Sequence, residues 1–505
     1  MPSISQLSKI VTSLAFLWAA TGFAQGDTKL EIIHADDLIY DTSNGITAKR
    51  LIGNVAFKQD ETFMYCDSAY FYSETNSFQA FNHVRIVEGD SLNLTGDHLD
   101  YDGNKKFAKF TGNIVMVDKN MVLTTKNLDY DRNNQLAYYY NGGTIVNKEE
   151  NMELKSEKGK YFPQSKLFHF QKNVVLVTDE YTIYSDTLHQ NNESNISYFY
   201  GPTTIISDSS TIYCEKGWYD KNNGVSEFIK NAVITNESQI LKADSIRFLT
   251  EFNLGFMFGH VEITDTTENI SVFGDYAENN SKDSTSMVTG NALLVQQFDS
   301  DSLFLHGDTL FSEFDSLHHR LIRAYSHVKL YKQGLAGKCD SIVFSESDSL
   351  IKMFGDPVIW ADGNQLTAEH IQIKHYDGKL QWLELNRKSF IVYESKPTHF
   401  NQISGKNMMN YFDDGKLKTI NVFENGKTIY YATEESGAEI GVNQASADDL
   451  IILLDSNEIK KIKFYRNPAA KLTPLDQVDE KTLKLDGFKW RVTEQPKKPK
   501  DVFVW

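Results

Sequence analysis

Apolar and polar residues alternate in short runs along most of this chain. Leu92-Asn93-Leu94 and Phe107-Ala108-Lys109-Phe110 show it, and β-branched runs such as Ile114-Val115-Met116-Val117 and Val174-Val175-Leu176-Val177 recur between them. Such runs are strands with one face toward a core. Turn clusters separate them: Ser43-Asn44-Gly45, Asp102-Gly103-Asn104, Asp131-Arg132-Asn133-Asn134 and Lys221-Asn222-Asn223-Gly224. No stretch of comparable length has a 3.6-residue period. The chain therefore reads as strand after strand from Asp27 to about Tyr431, with weaker echoes to Tyr465.

The strands belong to a repeat. A small residue followed by a mostly acidic one recurs at Asp36, Asp67, Asp97, Lys126, Glu157, Asp186, Glu215, Asp244, Asp275, Asp308, Asp340, Glu369 and Lys406, in steps of 29 to 33 residues and a last step of 37. A second motif, Gly53-Asn54-Val55, has echoes at Asn82-His83-Val84, Gly112-Asn113-Ile114, Lys172-Asn173-Val174, Asn231-Ala232-Val233, Gly259-His260-Val261, Gly290-Asn291-Ala292, Ser326-His327-Val328 and Asp356-Pro357-Val358. Gly and Asn tolerate positive φ and suit a sharp corner. A fixed period of this size predicts a stacked array in which each repeat touches its neighbours. Each repeat reads as three or four short strands with two corners, one at each motif. Two facing sheets result, with apolar residues between them.

Composition narrows the function. The formal net charge is −17 over 505 residues, which argues against a nucleic-acid partner. Cys66, Cys214 and Cys339 all occupy the small-residue column, so they read as buried fillers, too far apart for disulfides. His83, His260 and His327 share a corner column of the second motif and read as polar corner residues rather than metal ligands. No phosphate loop, zinc signature or nucleophile elbow is present, and the acids recur singly. A glycan-processing enzyme needs clustered carboxylates. The reading is therefore non-enzymatic, with no cofactor and no metal.

The ends differ from the array. Lys9 precedes an apolar run from Ile10 to Ala20, and Gly22-Phe23-Ala24 offers small residues for cleavage. Residues 1–24 are expected to be a signal peptide, with a retained anchor as the alternative. Residues 441–505 are expected to be a C-terminal β hairpin or cap, with a domain break near Glu434 to Gly441. A short helix from Leu475 to Leu485 and a flexible basic tail at Lys497-Lys498-Pro499-Lys500 complete that expectation.

Small-Asp-x-Leu-x-Tyr-Asp followed by Thr-Gly-Asn-Ile resembles the OstA/LptA family of lipopolysaccharide-transport proteins. The clearest copies are Gly96 to Asp102 with Gly112-Asn113-Ile114, and Asp36 to Asp41 with Gly53-Asn54-Val55. The resemblance implies an all-β fold, an elongated, twisted, open β-jellyroll shaped like a folded taco, here of about 13 to 14 repeats spanning residues 27–434, in one module or several. It implies a periplasmic bridge that carries lipopolysaccharide toward the outer membrane, lipid A acyl chains in an apolar groove, and transport-protein partners joined by edge-strand pairing. Residues expected to line that groove are Val55, Val84, Leu99, Ile114, Leu128, Val174, Val233, Val261, Val328 and Val358. A structural scaffold with a closed core is the competing reading. The chain has more repeats than a single small bridge subunit and lacks the long barrel of the large family member.

Overall fold

Each long strand is bent near its centre, and both repeat motifs meet at the bend. In the computed structural model the described residues are 29–505, apart from 42–46, 89–91, 119, 150, 192, 318, 346, 377–378, 435–436, 456–457 and 480–482. The expected signal peptide lies outside them. The chain divides into two compact units, residues 1–149 and 150–505.

In unit 1, strands Ala48–Gln59, Thr62–Tyr72, Ser77–Glu88, Leu92–Asp102, Phe107–Asp118 and Met121–Asp131 form an antiparallel meander, each paired with the next. Pairing slips between Ile52 and Val55, Phe81 and Val84, and Thr111 and Ile114. At the slips Gly53, Asn54, Asn82, His83, Gly112 and Asn113 all have positive φ. These are β-bulges, which bend a strand without ending its ladder. The bend folds the two halves of every strand into two facing layers.

A repeat is therefore two long strands, where three or four short ones were expected. It has one corner line, where two were expected. The physical reason is that bulge chemistry and turn chemistry use the same residues, Gly and Asn at positive φ. At the corner the motifs bind one another. Asn113 Nδ2 donates to Asp97 Oδ2 at 2.8 Å, Asn54 to Asp36 at 2.9 Å and Asn291 to Asp275 at 2.9 Å. His83, His260 and His327 take the asparagine position, each with Nδ1 2.8 Å from Asp67, Asp244 or Asp308. Lys406, which breaks the acidic column, faces Glu424 at 2.8 Å, so the pair survives with its signs exchanged. The small residue before each acid points inward where the layers converge. A Cβ on Gly96 would lie 2.9 Å from the Phe110 ring. The cysteines of this column are free and buried, and burial pushes the Cys66 and Cys339 thiols up to about 12 and Cys214 up to about 11.

Unit 2 is itself an antiparallel meander with the same kind of bend, for example in Ile196–Ser207, Ser210–Asp220, Val225–Asn236 and Gln239–Leu249. Its ladder runs through the expected domain break, because Gly426–Thr433 pairs with Glu439–Ala447. After Ala469–Pro474 the chain makes a three-residue 3-10 turn, Leu475–Gln477, in place of the expected helix. The tail is then docked on both sides of Lys497-Lys498-Pro499-Lys500, which stay exposed. Leu483 packs with Ile429, Tyr431 and Val442. Phe488 and Trp490 lie against Phe400, and Phe503 against His306. Gln402 grips the backbone of this tail, a strap from Leu483 to Phe503, with both ends of its amide, donating to Leu483 O at 2.8 Å and accepting from Leu485 N at 2.9 Å. Gln365 does the same with Lys489 O and Arg491 N, both at 2.6 Å. The reason is that this layer is apolar on both faces: Val358, Ile359, Trp360 and Ala361 are all buried. A second apolar face needs a cover, and apolar residues of the tail supply it.

Candidate functional site

The space between the layers is the candidate site, and it differs between the units. In unit 1 it is filled and shut. Phe57, Phe78 and Tyr101 stack through it, with centroid separations of 4.2 Å and 5.3 Å. The rims of the two layers are tied together at the mouth. Lys106 Nζ lies 2.7 Å from Asp60, and Gln59 Nε2 donates to Gly103 O at 2.9 Å. Tyr101 donates to Gln59 at 2.6 Å and accepts from Arg132 Nη1 at 2.8 Å. Arg132 also donates to Thr62 Oγ1, and its side chain is 6% exposed between Asp60 and Glu88. Tyr130 donates to Glu88 at 3.1 Å. Burial pushes the phenols of Tyr101 and Tyr130 up, so both remain neutral donors. Leu30 tucks in beside Gly103, its N–H held by Asn76 at 3.0 Å.

In unit 2 the same space is open. A cleft of ≈ 240 Å³ is lined by Leu241, Ile246, Phe248, Ile263, Ile270 and Ile322. A second lobe of ≈ 120 Å³, lined by Leu303, Leu335, Phe344, Ile351 and Leu380, shares Ile270, Leu294 and Ile322 with the first. Leu241, Ile263, Ile270, Ile322, Leu335, Ile351 and Leu380 are half-buried, packing on the core with one side toward the opening. Rung-to-rung ties run along each rim. Ser281 N donates to Asn253 O on one side, and Thr266 N donates to Ser238 O on the other.

Polar groups gather at the mouth, with Glu278, Asn279, Ser286 and Ser312 among those of the first lobe. Gln239, Asp265 and Arg320 border the first lobe. Burial would raise the Asp265 carboxyl, but hydrogen bonds from Thr267 and Glu268 hold it below the usual carboxylate range. Lys332 and His375 border the second lobe. Lys332 sits 4.2 Å from the Phe298 ring centroid and 3.4 Å from Asp301. Burial, with Lys374 and Lys332 nearby, holds the His375 imidazole below its ordinary value and so neutral. A narrow aliphatic slot with a polar lip takes up a linear apolar chain by burial, at ~25 cal/mol per Å² removed from water.

The ten sequence-nominated residues fall into three groups. Val55, Val84, Leu99, Ile114 and Leu128 are fully buried beside the corner in closed unit 1. They are packed core, far along the strand from the mouth. Val174, Val261 and Val328 are buried beside the corner of unit 2. Val233 and Val358 are out of phase by one residue. Ala232 and Ile234 point into the core, leaving Val233 outward. Val358 packs with Ala336 and Trp360, while Ile359 faces the inner core. Both slips follow from taking the conspicuous valine as the residue after the bulge, when the bulge residues are Lys230-Asn231 and Gly355-Asp356. The lip residues of unit 2 were missed. Their signal is a half-buried aliphatic near a strand end, which no motif marks.

Among the described residues, no group of three or more His, Cys, Asp or Glu side chains could hold a metal ion, and no helix is long and apolar enough to cross a membrane. Residues 27–186 match the family model described as OstA-like protein. No curated protein matches the chain. Among solved structures, the chain is similar to LptH of Pseudomonas aeruginosa, described as the LptA homologous periplasmic component of the conserved lipopolysaccharide transport device. That similarity has 12% identity and a TM-score of 0.19, and covers 20% of this chain and 78% of that one. A likeness that slight carries no functional weight.

Proposed function

Starting from an OstA-like segment at residues 27–186, we propose that this protein is a non-enzymatic lipid-binding bridge in lipopolysaccharide transport to the outer membrane. The single observation that supports it is the open aliphatic cleft of unit 2. Acyl chains lie in that cleft, with their polar parts at the lip where Arg320 and Lys332 stand. The cleft repeats the same aliphatic lining from rung to rung, so it offers similar sites and no deep trap, which suits passage rather than storage. The protein works in the periplasm after export and associates with the outer membrane. It meets other transport proteins by pairing strands at its exposed edges.

The test is site-directed photo-crosslinking in cells with the probe at Leu241 or Ile322. A lipopolysaccharide adduct at these positions is the expected result. Its absence at both, with the protein folded and exported, removes the proposal. The scaffold reading gains support from the filled interior of unit 1. Depletion separates the two: loss of surface lipopolysaccharide supports transport, and normal surface lipopolysaccharide supports a scaffold.

A further inference from the structure

Resting on the lipid-handling reading above, we infer that Arg132 is a latch that ties the two rims of unit 1 together and keeps apolar chains out of its interlayer space. The residue that follows each strand at this rim has a fixed backbone role. Its N–H donates to the preceding rung: Gly103 to Asn76, Arg132 to Lys106, Lys221 to Asn195, Thr250 to Gly224 and Ser281 to Asn253, at 2.8 to 3.1 Å. The backbone therefore asks nothing special of the side chain here. Lys221, Thr250 and Ser281 leave theirs exposed. Arg132 turns inward instead, across the mouth, and is 6% exposed.

Its partners come from the opposite rim as well as its own. Thr62, Asp60 and Glu88 belong to one rim, Tyr101 and Tyr130 to the other, and Arg132 or Glu88 links each to the rest. The cation is what makes the closed mouth tolerable. Lys106 neutralises Asp60 from the side, at 2.7 Å, but without Arg132 the Glu88 carboxylate and the hydroxyls of Thr62 and Tyr101 would be brought together with no cation among them. Water would then solvate them better with the rims apart. Beneath the latch lie Phe57, Met64, Phe78 and Leu94, an apolar lining made by the same repeat that makes the open cleft of unit 2. What crosses the mouth is thus one of two differences between the shut and the open space, the other being the rings packed beneath it.

The experiment labels the full chain with a straight-chain alkyl diazirine and maps the adducts by peptide mass spectrometry. In the unaltered protein, adducts should fall in peptides between residues 239 and 380, with few between 62 and 118. In Arg132→Ala, labelling of residues 62–118 should rise about tenfold as the open fraction grows, while labelling of unit 2 stays constant. Arg132→Lys should restore part of the closure, since it keeps a cation without the forked geometry. The inference is overturned if unit 1 of the unaltered protein labels as strongly as unit 2. A folded Arg132→Ala that loses stability without gaining label overturns it too, because a purely structural arginine would behave that way. Should that variant fail to fold, Thr62→Val with Tyr101→Phe removes two hydroxyl partners at nearly constant volume. It should then give a smaller rise, and no rise overturns the inference. The latch is read from the unit 1 peptides. Absent labelling in unit 2 would count against the lipid-handling reading and leave the latch result standing on its own.

Discussion

Unit 1 and unit 2 are written in the same repeat, yet one is packed solid and the other holds a cleft. In unit 1 aromatic rings meet across the layers and a buried cation closes the rims. In unit 2 the inward positions are mostly aliphatic, Leu241, Ile263 and Ile322 among them, with Phe248 and Phe344 as ring-bearing exceptions, and they leave ≈ 240 Å³ unfilled in the first lobe. The corner is alike in both, with an acid, a small residue before it and an Asn or His opposite. The corner therefore sets the architecture. Side-chain size near the strand ends, and what bridges the rims, set whether the interior can receive anything.

The contrast can be broken most directly in the core. Phe78→Ala should cost unit 1 about 3–5 kcal/mol, because a stacked, fully buried ring leaves a cavity its neighbours cannot fill. Leu241→Ala should cost unit 2 about 1 kcal/mol, because half of that side chain already faces the opening. Hydrogen exchange followed by segment measures both, and equal costs would mean that the two interiors do not differ as described. Next in size is the outer cover of unit 2, which unit 1 lacks among its described residues. Gln402→Ala should cost about 1–3 kcal/mol by leaving Leu483 O and Leu485 N without their partner, and exchange should rise in residues 483–490 before it rises elsewhere.

Acid sharpens the same point. Glu494 is held at about 2 by hydrogen bonds from Arg491 and Lys338, below its ordinary 4.5. Its folded value is depressed, so its contribution is present above 4.5 and is lost as pH falls toward about 2. Strap docking, read by tryptophan fluorescence, should weaken over that window in the parent and much less in Glu494→Gln. The smallest expected effect lies at the shared corner. Hydrogen bonds to Asp67 and Asp244 raise His83 and His260 above 6.5. Their small contribution is present below 6.5 and fades as pH rises through the raised values. His83→Asn and His260→Asn should remove that pH dependence and little else, because Asn makes the same bond at Asn113 and Asn291. Thermal melts at acid and alkaline pH would show it, and both units should respond alike.

Much of the array was readable from its own repetition. The spacing of the small-acidic pair and the Gly-Asn echo located many of the corners, because positive φ restricts those positions to a few residue types, but the corners at Gly201, Arg387-Lys388 and Glu424-Asn425 carry no such echo. Even Lys406 is explained within the sequence once Glu424 is placed opposite it. Strand phase was harder to read. At Ala232-Val233 and Pro357-Val358 the larger residue drew the assignment, and a shift of one residue reverses the face. The strap was harder still. Lys497, Lys498 and Lys500 suggested a solvated tail, while the uninterrupted run Val358-Ile359-Trp360-Ala361 was the available sign that one layer has two buried faces.

Local rules were therefore enough to determine an all-β array, its period, many of its corners and the burial of its three cysteines, since each follows from backbone conformation and neighbour-to-neighbour contact. What only the tertiary structure decided is which interior is open, which valines face it, and where the tail lies. Those depend on groups far apart in the chain meeting across a gap: Arg132 with Thr62, Gln365 with Lys489, Gln402 with Leu483. The repeat does not announce such meetings: Arg132 meets Thr62 once, and the paired grips of Gln365 and Gln402 depend on a tail that lies outside the repeat.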